Sequence, residues 1–145
     1  MPMVFEDEGC TQLVKAYLQD VWPAGGKNLT LKLFVNDVTP STSGADAAAA
    51  FTEAVGGGYA AKTLVNGLGW TVSTVGGIVQ GAYAEQTWTF TGALTTNPTI
   101  YGWYLVDADN NLVAAQRNST IFTPAVNGET SKATPVIQFS HGTPA

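Results

Sequence analysis

Few residues of this chain could do chemistry, and their spacing decides what they can do. Asp107-Ala108-Asp109-Asn110-Asn111 sets oxygen ligands at alternate positions, as a loop that wraps a calcium ion does. Such a loop needs glycine at its sixth position and a bidentate carboxylate at its twelfth, where Leu112 and Asn118 stand instead. Between Tyr104-Leu105-Val106 and Leu112-Val113 the same residues read as a polar hairpin turn. Glu53 and Glu85 are the acids from which an acid/base pair for glycoside cleavage would be drawn, yet nothing in their spacing forces them together. Gly56-Gly57-Gly58 lacks the lysine and the following helix of a phosphate-binding loop, so it reads as a bend before a strand. His141 would need a carboxylate and a buried serine to act in a triad, in a segment near the chain end that is rarely held still. Cys10 reads as a small buried hydrophobe. The aromatics Trp70, Trp88, Trp103, Tyr101 and Tyr104 would stack on sugar rings or anchor an interface if exposed, and would fill a core if not. The expectation is no catalytic residue, no metal, no cofactor and no enzymatic activity.

Composition bounds the remaining possibilities. A chain of 145 residues is the size of one domain. With 12% charged and 45% hydrophobic residues it has the profile of a folded protein rather than a disordered one. Six Lys and Arg against eleven Asp and Glu give a net charge of -5, which disfavours nucleic acid as a partner. One cysteine rules out an internal disulfide, and one histidine leaves little for metal ligation. No apolar run approaches the ~18 residues that span a bilayer. The acidic opening Glu6-Asp7-Glu8 is unlike a signal peptide, so synthesis in a cytoplasm without membrane association is expected. Asn28-Leu29-Thr30 and Asn118-Ser119-Thr120 match the glycosylation pattern, but without a secretory signal they read as chance matches.

These residues must be positioned by strands. Cys10, Leu13, Val14, Tyr17, Leu18 and Val21 recur at helical spacing and predict one amphipathic helix over Gly9 to Trp22, stopped by Pro23 and Gly25-Gly26. Its apolar stripe either packs on the parent domain or docks on a neighbouring subunit. Leu13, Val14, Tyr17, Leu18 and Val21 are therefore the candidate assembly interface. After Asn28 the pattern has period two. Strands are predicted over Leu29–Val35, Tyr59–Leu64, Trp70–Val75, Ile78–Ala82, Glu85–Thr91, Thr99–Val106, Leu112–Arg117 and Lys132–Phe139, separated by turn-prone Asn, Gly, Asp and Pro. Ala45 to Val55 fits a short helix or a loop over one end of the sheets. The expected architecture is all-β: an N-terminal helical extension, 1–27, followed by a single antiparallel β-sandwich, jelly-roll-like, over 28–145.

Several segments carry a resemblance. Leu29-Thr30-Leu31-Lys32-Leu33-Phe34, Phe51-Thr52-Glu53-Ala54, Gly58-Tyr59-Ala60, Trp70 and Glu85-Gln86-Thr87-Trp88-Thr89-Phe90 are five of them. Ile100-Tyr101-Gly102-Trp103-Tyr104, Asn127-Gly128-Glu129-Thr130 and Thr134-Pro135-Val136-Ile137 are the others. Together they resemble a family of small virion structural proteins of tailed bacteriophages, over most of the chain. The resemblance implies a capsid decoration or cement protein, or a piece of a head fibre or tail, made in the bacterial host cytoplasm and located in the virion. Its partners would be the major capsid protein or other virion proteins and further copies of itself, as a homo-oligomer for which a trimer is one expectation. An acidic surface suits the outside of a DNA-filled shell, because it repels phosphate. The alternative is a receptor- or carbohydrate-binding module that uses exposed Trp or Tyr side chains.

Overall fold

Leu31, Leu33 and Val35 alternate with Lys32 and Phe34, and that alternation organises the larger sheet. The computed structural model describes residues 4–5, 28–65, 69–75 and 78–139. The predicted helix, its interface residues Leu13, Val14, Tyr17, Leu18 and Val21, and both Cys10 and His141 lie outside the described residues. Five strands, β1 (Val4–Phe5), β2 (Leu29–Phe34), β3 (Lys62–Leu64), β7 (Ile100–Val106) and β8 (Leu112–Phe122), form an antiparallel sheet in the order β1-β8-β7-β2-β3. Opposite residues share a face, so Leu33 beside Trp103 and Leu31 beside Leu105 point one way, while Lys32 beside Tyr104 points the other.

Both faces of this sheet are covered, which is why β7 is buried along nearly its whole length. On one face Leu31, Leu33, Val35, Leu64, Trp103, Leu105 and Ala114 build the main core with Trp88, Phe90, Ala133 and Ile137. On the other, Phe34, Tyr104, Val106, Leu112 and Ala115 pack beneath Phe51, with Val38, Ala48 and Ala50 at the margin. The Ala45–Val55 segment thus does two things. It forms a 3-10 turn at Ala48–Ala50, and it delivers Phe51, whose ring lies 5.1 Å from Phe34 and 5.3 Å from Tyr104. Gly102 sits where Phe34 crosses from the neighbouring strand. A Cβ there would lie 2.6 Å from the Phe34 ring and would also collide with the Gln116 carbonyl oxygen. Glycine is required because an aromatic ring already fills its side-chain space.

The remaining strands are β4 (Trp70–Val75), β5 (Ile78–Tyr83), β6 (Gln86–Thr89), β9 (Thr130–Ala133) and β10 (Val136–Phe139). β10-β5-β4 form a three-stranded antiparallel sheet, and β6 pairs with β9. These are two halves of one ribbon. The backbone N–H of Tyr83 donates to the Pro135 carbonyl at 2.9 Å, after which Ala84 and Glu85 stand opposite the single residue Thr134 before pairing resumes at Gln86 and Ala133. That is a β-bulge. β1 pairs with Ala114 and Ala115 of β8 and lies against β10, so it bridges the two sheets at that edge.

The described residues are therefore nearly all β, with antiparallel sheets, as the period-two pattern implies. Three departures from the predicted strands go beyond the one- or two-residue differences at other ends. Lys132–Phe139 is two strands, because Pro135 has no N–H to give a ladder. Tyr59 precedes its strand, which begins at Lys62. β8 runs on past Arg117 to Phe122, with a register shift opposite Tyr101.

Candidate functional site

Glu53 is the centre of a polar cluster that joins Lys32, Leu33 and Tyr59. Its segment adds to the free side of β2 beyond β3: Val35 N–H donates to Thr52 O at 2.9 Å, and Ala54 N–H to Leu33 O at 2.9 Å. That leaves the Leu33 N–H, between β3 and this segment, without a main-chain acceptor. The Tyr59 hydroxyl accepts it at 3.2 Å and donates in turn to Glu53 Oε1 at 3.1 Å. The second carboxylate oxygen, Oε2, meets Lys32 Nζ at 3.0 Å. Burial raises the Tyr59 pKa far above the ordinary phenol value; the Leu33 N–H opposes this and the Glu53 charge adds to it. Tyr104, on the same face as Lys32, is pushed up to about 12 by burial and then by the Glu53 charge. Both phenols are held neutral, and Tyr59 uses its hydroxyl for the two bonds just described.

Arg117 does similar work on the same face of the sheet, two strands away on β8. One guanidinium nitrogen donates to Val38 O at 2.9 Å, the other meets Asp37 Oδ1 at 2.6 Å, and the group lies 5.1 Å from the Tyr101 ring centre. The fork ties the 37–51 cover to β7 and β8. Asp107–Asn111 is the turn between β7 and β8. The Asp107 carboxylate accepts the N–H groups of Asp109 and Asn111 and the Asn111 side-chain amide, and Asn110 takes the left-handed conformation. Glu129 folds back on the β8–β9 connection, accepting Ala125 and Val126 N–H at 2.6 and 2.9 Å. Those two bonds hold its pKa below the ordinary carboxylate value.

Between β8 and β9 lies an open groove of about 410 Å³, lined by Trp103, Gln116, Asn118, Ser119, Thr120, Phe122, Thr130, Lys132 and Thr134 among others. Its lining is mostly hydroxyls and amides, which suits polar ligands better than the apolar molecules that deep pockets take. β1 meets β8 at Ala114 and Ala115, just beyond Gln116 of the groove wall.

The sequence-derived candidates do not converge. Glu53 pairs with Lys32, whereas Glu85 pairs with Lys132 at 2.7 Å, so each acid has its own cation. Trp88, Trp103 and Tyr104 are buried; Trp88 donates its indole N–H to Ala60 O at 2.9 Å. Of the two roles open to the aromatics, Trp88 and Trp103 take the core-filling one, because both rings belong to the main core. Trp70 is half-buried, edge-on to Tyr83 at 5.2 Å, and Tyr101 lies under Arg117. The three glycines at 56–58 all have positive φ, and Gly57 O accepts the Thr91 N–H at 2.9 Å. Among the described residues no group of His, Cys, Asp and Glu is placed to hold a metal ion. Sequence reasoning passed over Tyr59 and Arg117. Arg117 carries a signal, being the only arginine of the chain, whereas Tyr59 carries none. No protein-family model, curated protein or solved structure matches this chain.

Proposed function

We propose that this protein is a structural component of a tailed-bacteriophage particle, a capsid decoration or cement protein bound to the outside of the shell through apolar contacts. Its architecture in this reading is a jelly-roll-like β-sandwich carrying an N-terminal amphipathic helix. The observation that carries the reading is how the acids are used. Glu53, Glu85, Asp107 and Glu129 each hold a cation or backbone amides of the fold, as a scaffold uses them. The test is a capsid-binding assay with a Leu13→Asp/Leu18→Asp double variant. The unmodified protein should co-purify with particles and the folded variant should not. Unchanged occupancy removes the helix from the interface, and absence of the protein from purified particles removes the virion role.

The polar groove between β8 and β9 favours a second reading, a receptor- or sugar-binding module of a fibre or tail. A glycan array probed with the unmodified chain and with Gln116→Ala/Lys132→Ala separates the two. Saccharide binding that the double variant abolishes supports the module.

A further inference from the structure

Sheet edges invite pairing with other chains, and natural proteins guard them with charge, proline, bulges or short length. Here most edges are guarded. β3 is three residues long and bears Lys62, β8 bears Arg117 and is partly covered by β1, β1 lies against β10, and Glu85 with Lys132 flanks β6 and β9. β4 is not. It is the outer strand of its sheet, and its six residues pair with β5 without interruption. Residues 63–84 contain no Asp, Glu, Lys, Arg, His or Pro. On an acidic chain of net charge -5, this hairpin is a place where a second copy meets no like charge.

The side chains on the exposed face add a register. Gln138 Nε2 donates to Gln80 Oε1 at 3.1 Å, and Gln80 Nε2 to Ser73 Oγ at 3.4 Å, so an amide ladder crosses β10 and β5 and ends on β4. Ser73 accepts that bond, and its own hydroxyl hydrogen has no acceptor among the described residues. We propose that two copies of this chain pair edge to edge through β4, antiparallel, about a two-fold axis at Ser73. The ladder then runs through Ser73 of both copies, and Thr71 of one stands opposite Val75 of the other. Thr71, Ser73 and Val75 are all exposed in the single chain, and the two-fold keeps them on one face. This pairing does not depend on the virion reading.

Cysteine pairing tests the register, in a Cys10→Ser background. Residues directly opposite in an antiparallel pair lie within disulfide reach. Ser73→Cys should give a disulfide-linked dimer on mild oxidation. Thr71→Cys alone should not, but should cross-link when mixed with Val75→Cys. Sedimentation equilibrium of the unmodified chain should show a concentration-dependent dimer, abolished by Ser73→Lys or Thr71→Lys with the circular dichroism spectrum retained. A monomer at the highest soluble concentration overturns the proposal, as does a dimer that survives both lysine variants. Self-linking of Thr71→Cys as efficient as that of Ser73→Cys overturns the register.

Discussion

The hydroxyl of Tyr59 stands where a neighbouring strand's carbonyl would accept the Leu33 N–H, 3.2 Å away. One side chain closes the gap between β3 and the 52–54 segment along β2. Tyr59→Phe keeps the ring and leaves this N–H without an acceptor, for which the expected cost is about 1–3 kcal/mol. Urea denaturation of the two proteins measures it. An unchanged midpoint would show that water replaces the hydroxyl.

The same phenol makes stability sensitive to alkali. The unfolded chain ionises tyrosine near the ordinary value of ~10, while the folded chain keeps Tyr59 protonated well above that. Its contribution is complete below pH ~10 and is lost as pH rises further, because only the unfolded state then releases the proton. Tyr104, pushed up to about 12, acts in the same direction. Denaturation midpoints across this range should fall more steeply for the unmodified chain than for Tyr59→Phe.

Glu129 works with the opposite sign. Its lowered pKa means that the carboxylate stabilises the 125–129 connection above the unfolded carboxylate value, and that this is lost as pH falls through the folded one. The amide resonances of Ala125 and Val126 should titrate together, with a midpoint below an ordinary glutamate. In Glu129→Gln that transition should vanish from both.

Arg117 and the Lys132–Glu85 pair should separate sharply. The latter joins two half-exposed side chains, so Glu85→Gln should cost less than about 0.5 kcal/mol. Arg117→Ala loses a carbonyl bond, an ion pair and a ring contact at once. About 1–2 kcal/mol and faster hydrogen exchange across residues 37–51 are expected. Equal effects from the two substitutions would contradict this division.

Gly102→Ala should be the most damaging single methyl. The added carbon meets a backbone carbonyl and the Phe34 ring, neither of which can move without disturbing β2 or β8. A loss of about 3 kcal/mol, at the upper end for overpacking, should appear in thermal melts.

The strands were legible where alternation was clean, as in Gln86–Thr89, where Trp88 points inward between exposed Thr87 and Thr89. They were less so where local pattern and long-range pairing disagree. Asn118, Ser119 and Thr120 have turn-like chemistry, yet they continue β8 as far as Phe122, which pairs with Ile100. Tyr59 resembles a strand residue by type but is used for its hydroxyl, which only the distant Leu33 explains. The candidate site was less legible than the fold. The partners Lys32 for Glu53 and Asp37 for Arg117 are set by sheet order, which no local spacing encodes.

The bulge at Ala84 and Glu85 acts as a frameshift in the fold's inside–outside code. Before it the odd-numbered residues face the core, since Gly81 stands opposite the buried Ile137; after it the even ones do, as Trp88 and Phe90. Deleting Ala84 alone would remove the bulge and leave a regular ladder in which Glu85 meets Thr134, Gln86 still meets Ala133 and Trp88 still meets Ser131, so Trp88 and Phe90 keep facing the core. A natural variant that shortens this corner by one residue should therefore keep its core without a second change, whereas a one-residue loss inside Gln86–Thr89 should not.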